Sequence, residues 1–548
     1  METRAQGRIR LTKEGELLTE GSSSDRISNL PEDVLHHIIS FLPIQSIAQT
    51  SILSKRWSHL WASLPILDFS DLKQREVEFV NTVLRHRDEN SNIKVFRVKG
   101  DLSSSCLYNC IDQAVKYRVE KLKLDVSLTD KYFFGDKSGL LSLFNCDSLR
   151  SLKLAARYSS YAWQRPLSSQ QFPISLSYYV VATSGVHTLR TLCLTSMKFL
   201  DSTSELDLFS ASSFPSLEKL RLENCIGITH LKITCPKIKD VHIVRMFLNC
   251  LDISGMRLES LEITHAFEGY LQGSRVNILA PNLQSFYWGS ISSTEESSIT
   301  SFPTLKTCHL VCSQAIMDMS MAQTAIVMSM AKTIVNLLCS SSQVQNLCIV
   351  DGYLRILSRI YFEGGLPYSF MELKTLQIFV DCLNKAVIPG LACLFKTSRI
   401  LHTLSIYIWH RVLVNDSTRY WENEAQNMSH FLRHLKVVNI HHYPYVIDEN
   451  VITFAKFLLQ HGEGLQEMLF NVRDSKGWED KISLLKELPW ANGDVKISFS
   501  VRRRKSVQCS RGSLEHLLLS KSRLLWLLLL NFPMRATERN RIFFLFGK

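Results

Sequence analysis

A short leucine pattern recurs along this chain and constrains its fold more than any other feature. The pattern has the loose form L-x-x-L-x-L, and alternating leucines of this kind predict a short strand that buries one of its faces. No single unit can bury that face alone, but stacked units can, so the repeats predict a solenoid. The copies begin at residues 119, 149, 189, 217, 228, 238, 248, 258, 283, 305, 344, 373, 401, 432 and 465.

The spacing of the copies predicts how the coils are built. Most copies lie about 22 to 40 residues apart, which leaves room for a strand plus a helix or a long loop. We therefore expect an α/β fold, a leucine-rich-repeat solenoid whose curved parallel sheet carries helices and loops on its convex side. Between residues 217 and 263 the spacing falls to about 10, so alternate copies there should lie on opposite sides of coils about 20 residues long. That section should be flatter and thinner than the rest.

The segment from residue 27 to 64 departs from the repeats and predicts three short helices. Pro31 is placed to begin the first helix, with Glu32 and Asp33 at the positive end of its dipole, and Pro43 ends it. So short a helix has more apolar surface than one intramolecular contact can bury. Part of that surface should therefore contact a partner protein. Its apolar positions are Val34, Leu35, Ile38, Ile39, Phe41 and Leu42.

Two further helices are predicted behind the first. One is expected between Ser46 and Ser51, and Ser54 is a suitable cap for the next. Three such small helices make too little core to stand alone. The third helix would bring Trp57, Leu60, Trp61 and Leu64 to one face.

Several pairs and a longer run in this segment carry a family resemblance. They are Leu30-Pro31, Ile38-Ile39, Leu42-Pro43, and Leu53-Ser54-Lys55-Arg56-Trp57 followed by Leu60-Trp61. These residues resemble the F-box, the motif that docks onto the Skp-type adaptor of SCF ubiquitin ligases, in the form typical of large plant families. The resemblance implies an adaptor-facing surface of Leu30, Pro31, Leu35, Ile38, Ile39, Leu42 and Pro43. It also implies that Trp57, Leu60 and Trp61 hold the helices together. The alternative is an ordinary helical cap whose leucines only close a core.

Composition and charge restrict the class of partner. The 548 residues are 45% hydrophobic and 21% charged, which is typical of a soluble globular protein. The net charge of +12 is spread thinly, so it is a weak argument for nucleic acid. Residues 1–24 mix both charges without an apolar run, so we expect a disordered start, no signal peptide and no membrane anchor.

Neither a cofactor nor a metal site is expected. The 14 cysteines are scattered without a C-x-x-C pair, so they should be reduced. Two pairs, Cys106 with Cys110 and Cys308 with Cys312, have spacings that suit a metal, but no matched histidine pair completes either site. Phosphate-binding and hydrolase motifs are also missing from the sequence, so we expect no catalytic residue.

The C-terminal part resembles a second module. The phrase AKFLLQHGEGLQEMLF, preceded by Tyr420-Trp421 and Leu435-Lys436, resembles the FBD module of plant F-box/leucine-rich-repeat proteins. His461-Gly462 replaces the usual Asn-Ala. Beyond it, the basic run 502–505 could be a nuclear import signal or an exposed strand end. We therefore divide the chain into a disordered N-terminus (1–24), an F-box (25–70), a solenoid (71–424), an FBD-like part (425–500) and a basic, leucine-rich tail (501–548).

The resemblance implies a substrate-recognition subunit of an SCF-type ubiquitin ligase. The adaptor, and through it a cullin, would be held by the F-box, and an unknown target protein by the repeats, in the nucleus and/or cytoplasm. The alternative is a leucine-rich-repeat scaffold that does not assemble a ligase. Residues between the inward leucines point away from the core, so the candidates for target contact are Lys153, Arg221, His242, Glu262, Tyr287, His309 and Gln377. Where copies lie about 10 residues apart, some candidates should fall on the back face.

Overall fold

The architecture comes from a computed structural model. It describes residues 30–50, 55–70, 77–130, 142–158, 172–177, 179, 181, 186–200, 207–267, 274–289, 294–311, 324–410, 421, 428–473 and 477–501. Predictions for the N-terminus (1–24), nearly all of the tail (501–548) and Cys312 lie outside these residues.

Three short helices open the described chain, as predicted. Helix α1 spans Glu32–Ile39 with Glu32 and Asp33 in its first turn, α2 spans Ile44–Thr50, and α3 spans Lys55–Ala62. Pro31 stands at the N-terminal cap of α1, where its missing N–H costs no hydrogen bond. The buried side chains of this segment join the hydrophobic core of the rest of the chain.

A parallel sheet of 16 strands forms the backbone of the molecule. It confirms the predicted α/β solenoid after an N-terminal helical module. In spatial order its strands are β1 (Ile66–Phe69), β2 (Val95–Leu102), β3 (Lys121–Leu128), β4 (Ser151–Tyr158), β6 (Thr191–Thr195), β8 (Lys219–Glu223), β10 (Asp240–Val244), β12 (Ser260–Thr264), β14 (Ser285–Gly289), β16 (Thr307–Leu310), β17 (Asn346–Val350), β18 (Thr375–Val380), β19 (Thr403–Ile408), β20 (Val437–His442), β21 (Glu467–Val472) and β22 (Lys496–Val501).

Most strands of this sheet alternate a buried side chain with a more exposed one, although β17 buries four consecutive residues. In β3, for example, Leu122 and Leu124 are buried while Lys121 and Lys123 are exposed. Because successive side chains of a strand point to opposite faces, one face of the sheet covers the core. We call the other the open face.

The middle of the chain forms coils with two strands each. A second parallel sheet of four strands contains β9 (His230–Ile233), β11 (Cys250–Ser254), β13 (Ser274–Leu279) and β15 (Thr294–Ile299). Copies of the leucine pattern therefore alternate between the two sheets, as the spacing of about 10 residues predicted. A shorter pair, β5 (Ile174–Ser177) with β7 (Met197–Leu200), lies earlier in the chain.

Residues with a positive φ turn the chain directly after four strands of the long sheet. Ser196, Asn224, Arg245 and His265 follow directly after their strands with φ of 60°, 54°, 53° and 51°. The N–H of each donates to a carbonyl of the next coil, for example Arg245 N to Thr264 O at 2.8 Å. None of the four is glycine, although this conformation favours glycine. The corner is therefore stabilised by its hydrogen bonds to the neighbouring coil.

Elsewhere a helix follows the strand. These helices are α4 (Val77–Arg85), α5 (Ser104–Lys116), α6 (Thr324–Ser340), α7 (Asp351–Phe362), α8 (Ile388–Thr397), α9 (Ser429–His434), α10 (Glu449–His461) and α11 (Trp478–Lys486). Their apolar faces pack on the leucines of the sheet in one hydrophobic cluster. In the described ranges no helix is both long and apolar enough to cross a bilayer.

One predicted repeat copy is displaced. The copy that begins at residue 432 places its first leucine, Leu432, in α9, whereas the buried positions of the repeat are Leu435, Val438 and Ile440. Leu432 and Leu435 are three residues apart, a spacing shared by the helix and by the start of the repeat. The sequence pattern alone therefore shifted this repeat by three residues.

Candidate functional site

An exposed apolar surface lies on the N-terminal helices. Val34, Ile38, Phe41 and Leu42 expose 41%, 42%, 76% and 43% of their surface, and we call them the N-terminal apolar surface. Pro31 and Pro43 beside them are also exposed. Four large apolar side chains in one short stretch are more than scattered exposure produces, and this marks a contact surface.

Two residues predicted for the adaptor-facing surface belong to the core instead. Leu35 and Ile39 are 0% and 1% exposed. They lie four residues apart on α1, on the side that packs against α3. Leu30 is partly buried against the same core. Of the predicted set, Pro31, Ile38, Leu42 and Pro43 remain exposed, and Val34 and Phe41 join them.

The helices are held together by side chains from α3. Leu60 is buried, and Trp57 and Trp61 are partly buried against the core. Arg56 Nη2 donates to the carbonyl of Leu30 at 2.5 Å, which ties the start of α1 to α3.

All seven candidates for target contact lie in one row on the open face. The parallel register places them at equivalent positions of successive strands from β4 to β18, with Cys193 on β6 and Cys348 on β17 filling the gaps. We call this the central row. Its predicted members are Lys153, Arg221, His242, Glu262, Tyr287, His309 and Gln377. The expectation that some would fall on the back face was wrong, because the copies on the second sheet are β9 and β11, which carry none of them.

Ion pairs within the face neutralise the middle of the central row. Nδ1 of His242 lies 2.5 Å from Oε2 of Glu262, and its Nε2 lies 2.8 Å from Oδ1 of Asp240. Arg221 Nη2 lies 2.9 Å from Oε2 of Glu223 on the same strand. Burial alone would lower the pKa of His242, but the two carboxylates outweigh it and raise the pKa to about 9. His242 is therefore a cation at neutral pH.

Beyond His242 and Glu262, the side chains of the central row are uncharged. The rings of Tyr287 and His309 stack with centroids 5.7 Å apart. Burial raises the pKa of Tyr287 and lowers the pKa of His309, so both groups stay uncharged near neutral pH. Gln377 follows on β18 and is partly exposed.

An aromatic group that the leucine pattern does not predict lies beside the central row. Phe379, Tyr407 and His441 lie in register on β18, β19 and β20, with centroids 4.3 and 4.2 Å apart and nearly parallel planes. Two residues further on, Trp409 and Tyr443 stack at 4.2 Å. We call these five residues the aromatic ladder. A repeat-by-repeat comparison of the residue directly after each inward-facing pair would have found Phe379, Tyr407 and His441.

The open face combines charged and aromatic side chains. Across the residues that the structure describes, no three His, Cys, Asp or Glu side chains come together as a metal site. What the open face offers is a row of charged groups followed by half-exposed aromatic rings, which suits recognition of a protein chain.

Comparison with known proteins identifies the helical module. The family model described as F-box domain matches residues 27–69. This range covers α1 to α3 and the first strand, close to the predicted 25–70.

Full-length relatives extend the likeness to the repeats. An F-box/FBD/LRR-repeat protein of Arabidopsis thaliana is 31% identical over 505 residues, which cover 87% of this chain and 95% of the relative. F-box/LRR-repeat protein 25 of the same plant is 33% identical over 39% of this chain and 84% of its own length. An FBD-associated F-box protein of Arabidopsis thaliana is 26% identical over 44% of each chain. An exposed F-box surface, a repeat solenoid and a relative matched along nearly its whole length agree, and the chain belongs to the plant F-box/FBD/LRR-repeat proteins.

Proposed function

We propose that this chain is the substrate-recognition subunit of an SCF-type ubiquitin ligase. It docks the Skp-type adaptor through its N-terminal apolar surface and reaches a cullin through that adaptor. A target protein is held on the open face of the long sheet. The chain is not an enzyme. It acts by proximity, because holding the target beside a ubiquitin-charged enzyme raises their effective concentration.

The observation that carries this proposal is the exposure of the N-terminal apolar surface. Val34, Ile38, Phe41 and Leu42 remain uncovered although Leu35 and Ile39 of the same helix are already buried. An F-box domain covers this segment. An ordinary helical cap would bury its apolar side chains in the core and would expose no comparable apolar surface.

The open face supports the second half of the proposal. The central row and the aromatic ladder lie on the same sheet, separate from the F-box helices. Aromatic side chains bring large contact area at low entropic cost, and stacked neighbours hold them in place. The target therefore contacts both the charged row and the ladder.

A double substitution tests adaptor docking. Ile38→Glu with Phe41→Glu places two charges on the exposed surface without entering the core, so we expect loss of adaptor capture in a pull-down. Ile39 is unsuitable for this test, because it is 1% exposed and a charge there would unfold the helices.

The matched control introduces two glutamates on the surface of the repeats instead. Met256 and Met371 expose 62% and 55% of their surface in the repeats, and their double exchange to Glu should leave adaptor binding intact. Retention of the adaptor by the Ile38→Glu/Phe41→Glu variant would contradict the proposal. A scaffold that assembles no ligase would bind the adaptor without bringing a cullin into the complex.

We also propose that the protein acts in the nucleus and/or the cytoplasm. The basic run 502–505 lies outside the described residues. Imaging a fluorescent fusion, with and without alanine at these four positions, tests whether the run directs nuclear import.

A further inference from the structure

Three cations lie directly opposite one another at the first repeats. The register pairs Arg97 on β2 with Lys123 on β3, and Lys123 with Lys153 on β4. Neighbouring strands are about 4.8 Å apart, and like charges directly opposite on one face of a sheet are destabilising. The fold therefore bears an electrostatic cost on this part of the open face.

Carboxylates of the chain relieve only part of this cost. Arg97 pairs with Asp68 at 2.7 Å, and Arg157 pairs with Asp125 at 2.8 Å. Four exposed lysines, Lys99, Lys121, Lys123 and Lys153, form no ion pair among the residues that the structure describes. We call these four the lysine patch.

The lysine patch differs from the charged cluster further along the sheet. There each cation has a carboxylate neighbour, as with Lys219 beside Asp240 at 3.4 Å and His242 between Asp240 and Glu262. The cations in the middle of the open face are thus neutralised by carboxylates of the same chain. Lys123 and Lys153 of the patch, by contrast, have no carboxylate directly opposite them: Lys123 lies between Arg97 and Lys153, and Lys153 lies between Lys123 and Cys193. The patch therefore presents positive charge to a partner.

We propose that the target is recognised through an extended acidic segment of its polypeptide chain that lies on the lysine patch. This rests on the proposed function, because it names the chemistry of the target that the open face holds. Side chains on one side of an extended chain recur every ~6.8 Å, which matches the separation of Lys121 and Lys123 along β3. Aspartate or glutamate at those positions neutralises the facing lysines.

A polypeptide fits the whole face better than a nucleic acid does. Beyond the patch, Glu262 lies in the central row itself, and Asp240 and Glu223 lie in the rows on either side of it. A phosphate chain that continued along the sheet would meet these carboxylates. A polypeptide can be acidic over the patch and change character beyond it.

Fluorescence anisotropy with a labelled deca-glutamate peptide tests the proposal. The full chain is used without and with the Skp-type adaptor, and deca-glutamine is the neutral probe. We expect binding of deca-glutamate only, weakened several-fold when NaCl rises from about 50 to about 300 mM, because exposed pairs are screened. Lys123→Glu with Lys153→Glu should weaken it about tenfold or more, since two attractions become repulsions.

Two matched variants separate charge from other effects. Lys123→Arg with Lys153→Arg keeps the charge and should retain binding. Lys374→Glu with Lys436→Glu reverses two exposed lysines at the far end of the sheet and should also retain it. Equal binding of deca-glutamate by the Lys123→Glu/Lys153→Glu variant and the unchanged chain would overturn the proposal. So would tighter binding of a ten-nucleotide oligothymidine through the same lysines, because the patch would then be a nucleic-acid site.

Adaptor capture by the same preparations distinguishes the two proposals. If the adaptor binds and deca-glutamate does not, only the acidic-segment proposal fails. If deca-glutamate binds and the adaptor does not, binding of acidic segments by the lysine patch is supported and the ligase proposal fails.

Discussion

At the scale of single residues, His242 makes stability depend on pH above neutrality. Its pKa is raised to about 9 by Asp240 and Glu262, from an ordinary value near 6.5. A base whose folded pKa is raised contributes stability that is complete below pH ~6.5 and is lost as the pH rises through ~9.

We therefore expect His242→Gln to flatten the pH dependence on the alkaline side. Between about pH 6 and 9.5 the unchanged chain should lose on the order of 2 kcal/mol more stability than the variant. Urea unfolding followed by circular dichroism at both pH values measures the difference. Comparison with the variant removes the contribution of cysteine thiols, which titrate in this range in the unfolded chain. Parallel pH curves for both proteins would show that the ion pairs do not stabilise the fold.

His442 acts in the opposite direction. It is fully buried with its ring edge-on to Trp478, the centroids 5.2 Å apart, and burial lowers its pKa to about 4. The unfolded chain takes up a proton first, so stability is lost as the pH falls from ~6.5 to ~4. The loss should amount to about 3 kcal/mol, and His442→Leu should reduce it. Urea midpoints at pH 7 and 4.5 test this, and an unchanged acid sensitivity in His442→Leu would refute the role of His442.

Some residue positions follow from the sequence and others do not. The central row could be predicted because strand alternation fixes which side chains leave the core. Helical spacing groups Leu35, Ile38, Ile39 and Leu42 on one broad stripe, but it does not say which edge faces α3. The neutralised pairs around His242 depend on the register between distant strands, which no local pattern encodes.

At the scale of elements, close packing of α7 on α8 depends on one glycine. A Cβ at Gly390 would lie 2.1 Å from the carbonyl oxygen of Leu354. The N–H of Gly390 also donates to Ser358 Oγ at 2.8 Å. The two helices therefore approach at a position where no larger residue fits.

Gly390→Ala should force the two helices apart. Overpacking of this kind costs about 1 to 3 kcal/mol, so amide exchange in α7 and α8 should speed up by roughly 5- to 150-fold. The matched control is Gly493→Ala, because a Cβ at Gly493 meets no atom within 4 Å. Unchanged exchange in Gly390→Ala would show that the helices shift without cost.

Elements were predictable where the repeat was regular. Strands such as β4, β6 and β18 lie where the leucine pattern places them. The pattern missed β13 and β22, whose alternation is Val276 with Ile278 and Ile497 with Phe499, without the leading leucine. The shifted copy before β20 shows the same limit, since a helix also produces leucines three residues apart.

At the scale of the whole molecule, two surfaces with different chemistry lie on one stack of coils. The N-terminal apolar surface is uncharged at its centre, whereas the open face runs from lysines through neutralised pairs to aromatic rings. The stacking of coils and their alternation between two sheets could be predicted from spacing alone. The sequence of zones on the open face could not, because it appears only when distant strands are placed side by side.

Assembly of the complete complex tests the central claim most directly. The chain, a Skp-type adaptor and the adaptor-binding domain of a cullin are mixed and separated by size-exclusion chromatography with light scattering. We predict a single species with the mass of a 1:1:1 complex, from which the Ile38→Glu/Phe41→Glu variant is absent. A chain that elutes alone, or that carries the adaptor but never the cullin, would contradict its assignment as a ligase receptor.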